Sequence, residues 1–242
     1  MSVTPWRSSL LGMGSWPHSG MPGAPRGPAL RSTSTESAVT SRSGSSKRAI
    51  MSRMSSNLEP GPALEFFTDS ASTLLMAAKN AAVQHYVLLS IVGVDGIDAD
   101  GYLRGKLLQE ELVSAAGVPY TIVRATQFHE FTEGIADSLV VDGEIRAPDA
   151  LIQPVAAAEV AGLIARVATE APRNGVLELG GPEKMPFAEM AHTVFTLRGK
   201  NVPITVDPQA TYFGVPVERN SLVTDDGAEL GSTRLIDWLG RR

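Results

Sequence analysis

Tyr86-Val87-Leu88-Leu89-Ser90-Ile91-Val92-Gly93 is a continuous apolar, largely branched run closed by glycine. A run of that length without polar alternation suits a strand covered on both faces, as in a parallel sheet. Upstream, Leu64, Phe67, Ala71, Leu74, Leu75, Ala78 and Ala82 fall on one helical stripe, which predicts a helix from Ala63. Downstream, after a loop at 93–101, the spacing predicts a helix over 102–116 with Leu103, Leu107, Leu108 and Leu112 inward. Gly117 and Pro119 close that helix, and Tyr120-Thr121-Ile122-Val123 reads as the next strand. Further helices are expected at 128–139, 156–168 and 187–197, short strands at 176–179 and 202–206, and a helical turn at 235–239. Strands alternating with helices predict an α/β doubly wound parallel sheet.

The chain has two compositions. Residues 1–58 carry seven Lys and Arg against the single acid Glu36, whereas 59–242 carry 14 against 25, so local charges of +6 and −11 hide inside the net −5. Fifteen serines lie in the first 58 residues and seven in the rest. Val3, Leu10, Leu11, Leu30, Val39, Ile50 and Leu58 follow neither a helical nor a strand period, so this segment is expected to be disordered or non-native. Four readings compete: a flexible tail, a basic nucleic-acid arm, an organelle transit peptide, and an out-of-frame or wrongly started stretch. Arg7, Arg26 and Arg31 are too scattered for the arm, and prolines from Pro5 to Pro28 break a transit helix. The out-of-frame reading ranks first, because the domain over 59–242 reads as beginning in the middle of a fold. With no cysteine, thiolate catalysis and cysteine-ligated metals are excluded. No run is long enough to span a bilayer, and a cytoplasmic location without membrane or nucleic-acid partners is expected.

The chemistry-bearing constellation is Ser90, Tyr102 and Lys106. Tyr102 and Lys106 lie four apart on one helical face, and Ser90 sits near the C-terminal end of the adjacent strand, where open α/β sheets bind ligands. Tyrosine can protonate a carbonyl during its reduction if a neighbouring ammonium lowers its pKa. Bringing tyrosine from about 10 to about 7 takes roughly 4 kcal/mol. One positive charge at about 6 Å in an effective dielectric of about 20 supplies roughly 3. The bland alternative is a chance Tyr-x-x-x-Lys with Lys106 paired to Glu110 on a solvated helix face. Taken alone the pair favours the bland reading, and Ser90 on the neighbouring strand together with the shape of the neighbouring segments raises the functional one. The acidic loop of Asp95, Asp98 and Asp100 fails the calcium-loop spacing, and His85, His129 and His192 show no metal-ligand spacing, so no metal is expected. His129 and Glu130 read either as pocket lining or as surface helix, and Gly180-Gly181-Pro182 as a strand-to-helix turn.

These stretches, with Glu110-Glu111, Gly117-Val118-Pro119-Tyr120-Thr121-Ile122-Val123-Arg124-Ala125-Thr126-Gln127-Phe128, Gln153-Pro154-Val155 ahead of Glu159-Val160-Ala161, and Leu179-Gly180-Gly181-Pro182, resemble the atypical short-chain dehydrogenase/reductases. The resemblance is specifically to the NmrA-like NAD(P)-binding proteins. It implies a Rossmann-type sheet, NADP or NAD as cofactor, Lys106 on the nicotinamide ribose, and Ser90, Val92, Arg124, Gln127 and Phe128 as further cofactor-site positions. It also implies a small C-terminal substrate lobe, here about 127–150 and 181–220. Tyrosine at the catalytic position is often missing from NmrA-like proteins, so Tyr102 leans toward an enzyme. The expected function is NAD(P)H-dependent reduction of a small-molecule substrate, with Tyr102 as proton donor, Ser90 polarising the acceptor and Lys106 holding ribose. The alternatives are a non-catalytic NAD(P) sensor with a regulatory protein partner, and a truncated product without function.

The chain departs from the family at its start. A first strand, a glycine-rich turn and a helix N-terminus should hold the pyrophosphate. Leu11-Gly12-Met13-Gly14-Ser15-Trp16-Pro17 fails, since proline stands where the third glycine belongs and no strand precedes it. The first β-α-β unit therefore reads as missing, cofactor binding as impaired, and the inner edge of the sheet as exposed.

Overall fold

Residues 60–98 and 100–241, with strands β1 (Thr35–Thr40) and β2 (Ala49–Arg53), are described by the computed structural model. Helix α1 (Pro60–Asn80) opens on a Pro-Gly-Pro turn, where missing N–H groups cost nothing because helix starts leave them unpaired anyway. Ala63, Phe67, Ala71, Leu75 and Ala78 bury its inward stripe. Ala82, expected on that stripe, instead leaves the helix in the left-handed region at φ 49°, and Val83 N–H closes back onto the Ala78 carbonyl at 2.9 Å. The stripe thus ends one turn early, since the chain must reverse here to enter the sheet.

Strands β3 (His85–Ile91), β4 (Tyr120–Ala125), β8 (Val176–Gly180) and β11 (Glu229–Leu230) run parallel, and the six-stranded order is β11-β8-β4-β3-β1-β2. Tyr86, Leu88 and Ile122 face α1 and helix α2 (Tyr102–Ala115) in one core with Leu75, Ala78 and Val113. Val87, Val123 and Leu177 face the opposite helix, α4 (Ala157–Val167), through Val160, Leu163 and Val167. Helices therefore cover both faces, which is the Rossmann-like α/β sheet expected from the apolar run. Full burial of a Val, Leu or Ile side chain in such a core contributes about 1.5–3 kcal/mol of transfer free energy.

Three findings differ from the sequence expectation. Ahead of Pro60, where no period was visible, β1 and β2 form an antiparallel pair with Val39 opposite Ile50. β1 lies antiparallel to β3 from Thr40↔His85 to Ser37↔Leu88, so the edge expected to be open is paired over that length. Among the described residues no β-α-β unit precedes α1. The rest of the early segment, including Leu11–Pro17 of the rejected glycine motif, lies outside the described residues.

The third difference is the face that α2 presents. Leu103, Leu107, Leu108 and Leu112 are only half-buried, while Gly105, Lys106, Gln109, Glu110 and Val113 point inward. The leucines flank a polar buried face, whose groups are tolerated inside because they have partners. Gly105 is required by proximity, since a Cβ there would lie 2.4 Å from the Phe67 ring of α1.

The smaller lobe has its own core. Helices α3 (Thr132–Ser138) and α5 (Phe187–Leu197) pack on a three-stranded sheet of β10 (Ile204–Val206), β6 (Glu144–Ala147) and β5 (Val140–Val141) through Ile135, Ile145, Phe187 and Met190. The helix expected over 128–139 begins as a single tight 3-10 turn at His129–Phe131. Strands β7 (Leu151–Ile152) and β9 (Met185–Pro186) pair beside it, and α6 (Leu235–Leu239) closes the chain. Among the described residues no helix is long and apolar enough to cross a membrane.

Candidate functional site

The parallel register aligns one polar row across the C-terminal half of the sheet. Ser90 of β3 stands opposite Arg124 of β4, which stands opposite Glu178 of β8, and register partners share a face. That is the face covered by α2, so the strand row and the polar helix face meet.

Lys106 is fully buried, and its Nζ donates to the Leu89 carbonyl and to Gln109 Oε1, both at 2.7 Å. It also lies 5.5 Å from the centre of the Phe67 ring, against whose edge the Tyr102 ring packs with centroids 5.6 Å apart. Phe67 therefore touches both members of the tyrosine–lysine pair. Ser90 is 3% exposed and its Oγ has no hydrogen-bond partner. A buried hydroxyl without a partner costs about 1–3 kcal/mol, a deficit that a ligand oxygen would remove.

Arg124 is engaged by two carboxylates. Its Nε and Nη2 donate to the two carboxylate oxygens of Glu110 at 3.0 and 2.7 Å, and Nη1 donates to Asp95 at 2.8 Å. Burial opposes its charge, but these two carboxylates outweigh burial and hold its pKa above the usual range. The pairing of Lys106 with Glu110 on a solvated face is not what forms: Glu110 is 5% exposed and belongs to Arg124. Asp95, expected in a purely solvated loop, is the third member of the cluster. Glu178 beside it has a raised pKa, chiefly from burial and against the pull of Arg124.

The remaining expected positions hold the strand ends together. Val92 is buried and its N–H donates to the Ala125 carbonyl at 3.0 Å. Gln127 donates to the Leu222 carbonyl at 3.3 Å and accepts from Gln153 N–H at 3.4 Å. Phe128 stacks on Phe131 with centroids 5.7 Å apart. Sequence reasoning missed the hub, Gln153. Its Oε1 accepts from Thr224 N–H and Oγ at 2.9 and 3.1 Å, and its Nε2 donates to the Gly181 carbonyl at 2.8 Å. Gly181 is therefore more than a turn: a Cβ there would sit 1.7 Å from the Pro154 carbonyl oxygen. The Gln-Pro and Gly-Gly pairs were both visible, but their contact joins distant parts of the chain.

His129 and Glu130 both hold elements of the fold together. His129 is fully buried, its Nε2–H donates to the Thr233 carbonyl at 2.9 Å, and Nδ1 is buried without a partner. Glu130 accepts from Ala157 N–H at the start of α4 at 3.2 Å. Glu159 grips the same terminal segment, since its Oε1 accepts from the N–H and hydroxyl of both Ser232 and Thr233 between 2.7 and 3.2 Å. Burial works against the Glu159 charge, but those donors prevail and lower its pKa. Burial lowers the pKa of His129 despite the Thr233 carbonyl and nearby Glu130, Glu159 and Glu183.

A pH dependence follows. The unfolded chain takes up a proton at His129 near pH 6.5 while the folded chain resists it, so stability is full above about pH 7 and falls on acidification. Urea unfolding between about pH 7 and 5 should show a slope from this site of at most about 1.4 kcal/mol per unit that is absent in His129→Gln. Equal slopes in the two proteins would show that His129 ionises freely in the fold. At lower pH a further loss is expected as Glu159 protonates below its ordinary range.

A family model described as NAD(P)H-binding matches residues 33–171. The chain belongs to the NAD(P)H-binding family. This agrees with the resemblance to the atypical short-chain dehydrogenase/reductases, and the match takes in β1 and β2. No curated protein matches the chain. Among solved structures it is similar to a new type of NADPH-dependent quinone oxidoreductase from Escherichia coli, at 19% identity and TM-score 0.57 over 72% of each chain. The NADPH complex of that enzyme is similar at 20% identity and TM-score 0.57, over 71% of this chain and 70% of that one. The Bordetella bronchiseptica enzyme WbmG in complex with NAD and UDP is similar at 14% identity and TM-score 0.54, over 76% and 67%. At these identities the likeness is one of fold.

The residues fit one end of an NAD(P)H molecule. The unpartnered Ser90 hydroxyl and the buried Lys106 ammonium offer polar groups of the kind that a nicotinamide ribose and its acceptor need. The glycine turn that would hold a pyrophosphate is not among the described residues.

Proposed function

We propose that this NAD(P)H-binding chain is an oxidoreductase of the atypical short-chain type that reduces a carbonyl or quinone-like acceptor. The observation that carries the reading is the buried, unpartnered Ser90 Oγ, on the sheet face that α2 covers with Tyr102 and Lys106 at its start. When bound, the dinucleotide supplies a hydride. Tyr102 passes its phenolic proton to the acceptor oxygen, and Ser90 donates a hydrogen bond to that same oxygen, removing its own deficit. Lys106 holds the ribose and stabilises the phenolate left on Tyr102, which is reprotonated from solvent. Of the expected cofactor positions, Ser90, Lys106 and Val92 keep that role, and Phe128 with its stacked partner Phe131 offers a flat apolar surface. Arg124 and Gln127 support the site by bracing α2 and the strand ends. In this reading the parallel sheet binds cofactor, and the smaller lobe, about 127–150 and 181–220, selects substrate.

A quinone enters as an acceptor because the Escherichia coli structural neighbour is a quinone oxidoreductase. The test is oxidation of NADPH and of NADH by the full chain with quinone and aldehyde acceptors. Acceptor-dependent oxidation of either dinucleotide is expected. A folded chain that oxidises neither with any acceptor would contradict the reading.

A further inference from the structure

The polar face of α2 divides its partners by charge. Two acceptors follow Lys106 on that face, the amide Gln109 and the carboxylate Glu110. The carboxylate is drawn to Arg124, which binds both of its oxygens, and the amide goes to Lys106. Gln109 is 1% exposed and Lys106 is fully buried, so their 2.7 Å contact is made away from bulk water, where orientation is held firmly. With the Leu89 carbonyl it gives Nζ two fixed acceptors from two elements, one on the sheet and one on the same helix.

We propose that Gln109 is a positioning residue for Lys106: it aims the ammonium without contributing a charge that would offset it. The inference rests on the oxidoreductase reading for its catalytic consequence, but the positioning itself is independent of turnover. An amide and a carboxylate orient an ammonium equally well, yet only the amide adds no negative charge. A carboxylate at 109 would counteract the field that Lys106 exerts on Tyr102. Glu110, Arg124 and Asp95 on this face are bound to one another.

Two variants and two measurements test this on the full chain. In protein labelled with 15N-lysine, the Lys106 ammonium, assigned by its loss in Lys106→Met, should give an exchange-protected signal. That signal should be broadened or lost in Gln109→Leu and kept in Gln109→Glu. In steady-state reduction, Gln109→Glu should shift the alkaline limb of kcat/KM up by about one pH unit, and Gln109→Leu should lower kcat with little change in KM for the dinucleotide. An unchanged ammonium signal in Gln109→Leu would overturn the proposal whether or not the chain turns over. A Gln109→Glu profile superimposed on the parent's would overturn the charge argument. Absence of turnover in the parent chain would refute the oxidoreductase reading alone, leaving the ammonium signal to decide the role of Gln109.

Discussion

Replacing Tyr102 with phenylalanine is expected to lower kcat by about 10²–10⁴-fold, the usual worth of a positioned general acid, while leaving NAD(P)H affinity within about twofold. The substitution removes one hydroxyl and keeps the ring that packs edge-on against Phe67, so the fold should be retained. A proton donor acts in the transition state, which is why the loss belongs in kcat and kcat/KM together. Steady-state kinetics beside a calorimetric dinucleotide titration would read both quantities. Unchanged turnover would remove Tyr102 from the chemistry. A chain that binds dinucleotide without any turnover, in parent and variant alike, would point to the sensor reading and to a protein partner.

The second large effect concerns stability. Arg124→Met should destabilise the fold by about 3–5 kcal/mol, because it leaves the Glu110 carboxylate buried without its counter-charge. Glu110 is 5% exposed and receives two of the guanidinium's hydrogen bonds, so water cannot replace them without opening the contact of α2 with β4. The combination Arg124→Met with Glu110→Leu should recover much of the loss, since an apolar pair of similar volume costs no desolvation. Urea unfolding of the three proteins gives the comparison. A loss below about 1 kcal/mol in the single variant would mean that Glu110 finds solvent and that the cluster is a surface pair.

The parts of the fold that were legible in sequence are those set by apolar periodicity. The branched run at 86–92 became β3, the stripe of Phe67, Ala71 and Leu75 became α1, and the helix at 187–197 was read to the residue. Strands of two or three residues such as β5, β7 and β9 carry no period, and they exist only because a partner strand is near. The inward face of α2 was misread for a related reason. Hydrophobic spacing locates leucines, but Lys106, Gln109 and Glu110 turn inward because Leu89, one another and Arg124 satisfy them, and such partners are invisible to a period. The placement of Ser90 near the end of β3, and of Tyr102 and Lys106 one turn apart at the start of α2, was legible because the spacing of four and the strand-end position are local. The engagement of Arg124 by Glu110 and Asp95, and the bridging by Gln153, depend on contacts across the sheet.

The most direct test of the account is a calorimetric titration of the full chain with NADPH and then NADH, next to the same titration of Lys106→Met. Saturable one-site binding of at least one dinucleotide is predicted, weakened about tenfold or more when the ammonium is removed, the worth of a charge-assisted hydrogen bond. No binding of either dinucleotide by a folded chain would contradict the assignment of this site to a nicotinamide cofactor.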